Sequence, residues 1–303
     1  MARPLSRAEA LAATLTAFLA IAILWSWTLD LVGLAFTPWR VLALSLPSTG
    51  AIAWRLFRQA HTDRAATAGY LAIVVTALAW LLWLAWPSLL PIGGGDLTHH
   101  LQLVDYLERH WRLVHDPSVE AYLGEMIHYT PGVHLLAALS GRWLGSDGLH
   151  MTHPVVAFSL ALKAGFVYLI ARRLLASAPS RDWLALVAPV LLLIPNAYVL
   201  DGFLKDSFLA QVMSEAFAVA MWWALTAWHD EPAPATLARP TRDKTRPRRS
   251  STAARASRKS ARRTSSHASR ALAASRSSSA WCRSASRAAR PIRRACSRAP
   301  RAT

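Results

Sequence analysis

Cysteine is missing from the first 230 residues; both cysteines of the chain, Cys282 and Cys296, fall near its C-terminal end. The preceding residues therefore have no disulfide framework, and cysteine usage fixes no redox compartment. Charge is equally scarce over long runs. Residues 10–29 and 65–90 contain no Asp, Glu, Lys or Arg. At 1.5 Å per residue each run is long enough to cross a hydrocarbon core of about 30 Å. The first run is too long for the apolar region of a secretory signal, and no small-residue cleavage site closes it, so it is read as a span. Acidic residues disappear altogether after Asp243.

These absences divide the 303-residue chain. Residues 1–230 hold 14 Lys and Arg against 15 Asp and Glu, whereas residues 231–303 hold 20 against 2. The net charge of +17 therefore belongs to the tail. It does not make the apolar body a nucleic-acid binder.

Residues 1–230 read as an all-α, polytopic membrane helix bundle of about six spans. The first and third are residues 10–29 and 65–90, the latter with Trp near its exit as in an interfacial aromatic belt. Residues 41–54, extended by flanking residues to about 57, are apolar but short and contain Pro47; they form either a span or a re-entrant hairpin. Further spans are expected at about 150–170, 183–200 and 208–228. Pro189, Pro195 and Glu215 in the last two predict kinks and a polar interior. Lys163 lies toward one end of its span and is expected to snorkel.

Basic residues set the orientation. Arg3 and Arg7 start the chain, Arg55, Arg58 and Arg64 separate spans two and three, and Arg172, Arg173 and Arg181 separate spans four and five. Six spans bring all three clusters to one side, expected to be cytoplasmic, with both termini there and the bundle in the inner (plasma) membrane. Residues 91–149, with seven acidic and three basic residues, then form an exterior helical loop. A span over residues 131–144 would put Arg172 and Arg173 outside, so that segment is expected to be an amphipathic or re-entrant helix against the membrane.

The chemistry concentrates in this loop. After Gly93, Gly94 and Gly95, Asp96 stands where a helix begins, and Asp96, His99, His100 and Leu103 follow at i, i+3, i+4, i+7 spacing. A carboxylate and two imidazoles are thus placed to converge on one substrate or ion. The competing reading is that Asp96 is only a helix cap. Eight of the eleven histidines lie between His99 and His153, but no HExxH or comparable paired metal spacing accompanies them. Asp201, Lys205 and Asp206 form a second charged loop on the same face. Glu215, about two turns into the next span, is a functional candidate as an intramembrane carboxylate.

At these residues the chain resembles the opening part of the GT-C type membrane glycosyltransferases, which use polyprenyl-phosphate-linked sugars. The resemblance rests on GGGDLTHH after an early span, on YTPGVHLLAAL, which is similar to the family's Y-P-P-x-x-H-L-L-L segment, and on YLIARRLL at the end of span four. It covers roughly residues 65–206. It implies inverting transfer from a lipid-linked donor on the exterior face, with Asp96 as base or ion ligand and Asp201 or Asp206 as the second exterior acidic position. His99 or His100 would orient groups or face phosphate, and Tyr129 and His134 would form part of the acceptor wall, with Glu215 among the binding candidates. Membrane lipid and the polyprenyl-linked donor are the implied partners. No cofactor is certain, and a divalent metal is compatible. The chain departs from the family in an additional span pair before the loop and in stopping after about six spans. The alternative function is a transporter or non-catalytic membrane subunit, in which Glu215 and Lys163 would matter more than Asp96.

Residues 231–303, almost entirely Arg, Ser, Ala, Thr and Pro, cannot bury a core and are expected to be disordered. A polybasic lipid or non-specific nucleic-acid binder and a solvated tail are two readings; no sequence-specific nucleic-acid partner is implied. The favoured third is a frameshift, because this composition is what GC-rich codons yield out of frame, and it begins where a further span is expected.

Overall fold

The computed structural model describes residues 5–86, 95–194, 202–203 and 209–229, with the backbone alone at Gly95 and Asp96. The tail and the 201–206 loop positions Asp201, Lys205 and Asp206 lie outside the described residues. What is described is helical, with no strand among the described residues, and belongs to one unit, Met1–Ala238.

Helix α1 (Arg7–Leu31) starts in a capping box. The Glu9 amide donates to Ser6 Oγ, and the Ser6 amide donates to the Glu9 carboxylate at 2.7 Å, which satisfies two of the donors that a helix start leaves unpaired. Past α1 the chain turns through Gly33, whose φ of +77° favours glycine. Helix α2 (Pro38–Gln59) then begins with proline in its first turn, where the missing N–H costs nothing. It continues through Pro47 as one helix of 22 residues. The segment expected to be either a short span or a hairpin is thus about 33 Å long. Trp25 Nε1 donates to Ser48 Oγ at 3.3 Å across the α1–α2 pair.

Asp63 caps α3 (Arg64–Leu84) by accepting the Ala66 amide at 2.9 Å. Helix α4 (Gly95–His110) ends at Trp111, the one described non-glycine residue with positive φ, +51°. Its carbonyl accepts the Phe36 amide at 2.9 Å, tying the loop to the α1–α2 connection. A short run of 3-10 turns around α5 (Glu120–Leu123) leads to α6 (Gly132–Leu144). Gly145, with φ +73°, turns α6 into α7 (Gly148–Leu174), capped by Asp147. Helices α8 (Arg181–Leu193) and α9 (Leu209–His229) complete the described bundle.

Three helices, α1, α3 and α7, are both long and apolar enough to cross a membrane. Of these α7 is the hub: 78% of its apolar window is buried, against 28% for α1 and for α3. It packs on α3, α6, α8 and α9. Of the two forms expected for α6, amphipathic on the surface or re-entrant, burial of residues 133–139 in succession does not fit a helix lying on the surface. Small residues permit this. A Cβ on Gly148 would lie 3.0 Å from the Ala138 Cα, and one on Gly141 would lie 2.6 Å from the Asp147 carbonyl carbon, so α6 enters the bundle end in close backbone contact with α7.

The two ends of the bundle differ. At one, Arg173 pairs with Glu9, whose carboxylate also accepts Trp223 Nε1 at 3.3 Å. Arg172 there bonds Asp182 at 2.7 Å and Asp63 at 3.1 Å. The His61 amide donates to the Leu5 carbonyl at 2.8 Å. The basic residues at the start of α1 and α3 and at the end of α7 therefore share one end, and Arg172 and Arg173 are buried in its structure as well as charged. The opposite end carries α4, α5 and α6. Exposed tryptophans mark both ends, with Trp54, Trp183 and Trp228 at the basic end and Trp27, Trp39, Trp83 and Trp86 at the other, as interfacial belts do.

Candidate functional site

The loop-bearing end gathers the candidate residues. On α4 the buried stripe is Leu97, His100, Leu103, Val104 and Leu107, a one-face pattern at helical spacing. His100 is therefore turned into the bundle, while His99 is exposed beside Gly124. The two histidines of the sequence pair thus lie in different surroundings. Asp96 occupies the backbone position one turn before His100.

His100 meets His134 of α6. Their Nδ1 and Nε2 atoms are 2.9 Å apart, and the rings stack at 5.1 Å with an interplanar angle of 15°. Tyr129, just before α6, stands edge-on to both rings, at 5.1 Å from His100 and 5.7 Å from His134. Residues 34 positions apart thus form one aromatic and imidazole cluster. Both histidines are almost fully enclosed. Burial, with the neighbouring His100 adding to it, pushes His134 down to about 3, so His134 is neutral at pH 7. Its Nδ1 has no hydrogen-bond partner among the described residues. A buried bare acceptor costs less than a buried orphan N–H; this assigns the proton of the shared bond to His134 Nε2, donating to His100 Nδ1.

Beside this cluster lies a cleft of about 230 Å³ to which Tyr129, Pro131, Met126, Leu103 and Trp27 contribute. Tyr129 belongs to both, so a ligand in the cleft would touch the residue that faces the histidine pair.

The remaining candidates separate from this place. Glu215 on α9 bonds Lys163 of α7 at 2.5 Å, with Gln211 donating to the same carboxylate at 3.1 Å. Lys163 is buried and turned to α9, in contrast to the snorkelling expected of it. His150 donates its amide to Asp147, the cap of α7, and that backbone bond, ahead of the opposing effect of burial, holds the Asp147 carboxyl below its usual range. His110 stacks on Tyr106. No group of three or more His, Cys, Asp or Glu side chains converges on a metal position among the described residues. Asp96, Asp201 and Asp206, the carboxylates of the family resemblance, have side chains outside that set.

Sequence reasoning passed over Asp30 and His115. Asp30 ends α1, and its carboxylate accepts the Leu113 amide at 2.9 Å and meets His115 Nε2 at 2.6 Å. The available signal was weak: Asp30 follows directly on the uncharged run that ends at Leu29. Comparisons of the chain with family models, curated proteins and solved structures find no match.

Proposed function

We propose that this chain is a membrane-embedded sugar transferase, or the N-terminal part of one, that takes its sugar from a polyprenyl-phosphate carrier on the exterior face. The observation that carries the reading is the meeting of His100, Tyr129 and His134 beside an open cleft. These residues come from the two separate segments, GGGDLTHH and YTPGVHLLAAL, on which the family resemblance rests. Helices long enough to span, tryptophans at both ends and basic residues collected at one end support six spans with that basic end cytoplasmic.

In this reading Asp96 takes the proton from the acceptor hydroxyl as its oxygen attacks the anomeric carbon and the lipid phosphate leaves. The neutral His134 and its partner His100 hold Tyr129 at the acceptor wall. Asp201 or Asp206 supplies the second carboxylate, and a divalent ion bound between carboxylates would offset the leaving charge. The test uses membrane vesicles bearing the full chain and a polyprenyl-phosphate-linked radiolabelled hexose. Asp96→Asn should lower transfer by about 10²–10⁴-fold, the usual worth of a general base, at unchanged membrane expression. Retained transfer would sink the assignment.

A second reading, as transporter or non-catalytic subunit, draws on the Lys163–Glu215 pair that joins α7 and α9, with Lys163 buried and Glu215 partly exposed, since intramembrane charges mark pathways in such proteins. Solute uptake sensitive to Glu215→Gln, with no sugar transfer, would favour it.

A further inference from the structure

Asp30 and His115 form a built pair at the rim of the cleft. The Asp30 side chain is 4% exposed, while that of His115 is 68% exposed. A carboxylate only accepts, so the proton of their 2.6 Å bond sits on His115 Nε2. In the neutral ring that bond selects the tautomer, and the second ring nitrogen, Nδ1, is then the acceptor. His115 lines the same cleft as Trp27, Leu107, Met126 and Ile127, whose walls are mostly apolar.

We propose that this cleft binds an amphiphile with a neutral, hydroxyl-bearing head, its apolar part against Trp27, Leu107 and Ile127 and a hydroxyl donating to His115 Nδ1. Three features select this chemistry. The cleft opens at the last turns of α1, beside exposed Trp27, the level at which a bilayer-dissolved molecule presents its head. The ring nitrogen accepts, which matches an O–H donor. The Asp30 carboxylate behind the ring repels an anionic head, which favours a neutral one. The cleft is the one whose wall Tyr129 forms in the transferase reading, so this site rests on and deepens that reading, but its occupancy needs neither a sugar donor nor turnover.

The test is carbethoxylation of the full chain in nanodiscs, followed histidine by histidine by mass spectrometry. The probe is n-octyl β-glucoside below its micellar concentration, and n-octyl phosphocholine, with the same chain and no hydroxyl, is the control. At about ten times its Kd the glucoside should slow His115 modification about tenfold by occupancy, leaving the exposed His99 and His128 unchanged. The control should not protect. Ile127→Trp, which fills the cleft and leaves both residues of the Asp30–His115 pair unsubstituted, should abolish protection. No protection of His115, equal protection by both amphiphiles, or protection that survives Ile127→Trp would each overturn the proposal. Because no donor is present, its failure is separate from that of Asp96 in the transfer assay.

Discussion

Tyr70 of α3 lies across Gly165 of α7 so closely that a Cβ on residue 165 would fall 2.5 Å from a ring carbon. Tyr168 of α7 returns the arrangement over Gly69 of α3, where a Cβ would overlap the Tyr168 hydroxyl. Both rings are buried. Apolar surface drives little association between helices in lipid, so small residues that admit a neighbour's bulk decide which faces meet. This reciprocal fit fixes the register of α3 against the central helix.

Gly165→Ala is accordingly expected to lower stability by about 1–3 kcal/mol through overpacking. Tyr70→Phe is expected to leave it unchanged or improve it, because the Tyr70 hydroxyl is buried without a partner among the described residues. Thermal unfolding of the purified chain in detergent checks both, and a stabilised Gly165→Ala would contradict the packing account.

The Arg173–Glu9 pair joins the end of α7 to the start of α1, with both side chains below 10% exposure, at 4% and 7%. Removing one partner of such a pair leaves a buried charge and costs about 3–5 kcal/mol. Arg173→Ala should therefore destabilise strongly, and the double variant Arg173→Met with Glu9→Gln should be the milder of the two. A melting temperature of the double variant below that of the single would refute this ordering.

His134 yields a pH dependence. Its folded pKa, about 3, lies below the ordinary value of 6.5, so between those values the unfolded chain binds the extra proton. The stabilisation is fully present above about pH 6.5 and is lost as pH falls toward 3. Melting temperatures measured from pH 7.5 to 5 should fall more for the wild type than for His134→Gln. Parallel curves would show that His134 is not held neutral.

The tail yields a prediction that needs no protein. Translating the encoding DNA beyond the Asp230 codon in the other two frames is expected to produce an apolar continuation in one of them. Absence of such a run in both would remove the frameshift reading and leave a basic segment to be explained by its own chemistry.

The long uncharged runs of α1 and α3 and the apolar composition of α7 made the membrane-grade helices legible in the sequence, because crossing a hydrocarbon core depends on length and composition alone. The turn at Gly145 and the caps at Ser6, Asp63 and Asp147 are equally local. Tertiary structure was needed to separate His99 from His100, since either spacing places a residue near Asp96 and only packing against α6 chose the buried one. It was needed for α6 as well: residues 133–139 are apolar but for His134, and their burial follows from close approach at Gly141 and Gly148. The pairs Asp30–His115 and Lys163–Glu215 join positions 85 and 52 residues apart, and no pattern along one chain encodes such a meeting. Hydrogen bonds and ion pairs act over a few ångströms of space, so the sequence determined which chemistry this protein carries and which segments can enter a membrane, whereas the packing of α4, α6 and α1 around one end decided which of those groups stand together.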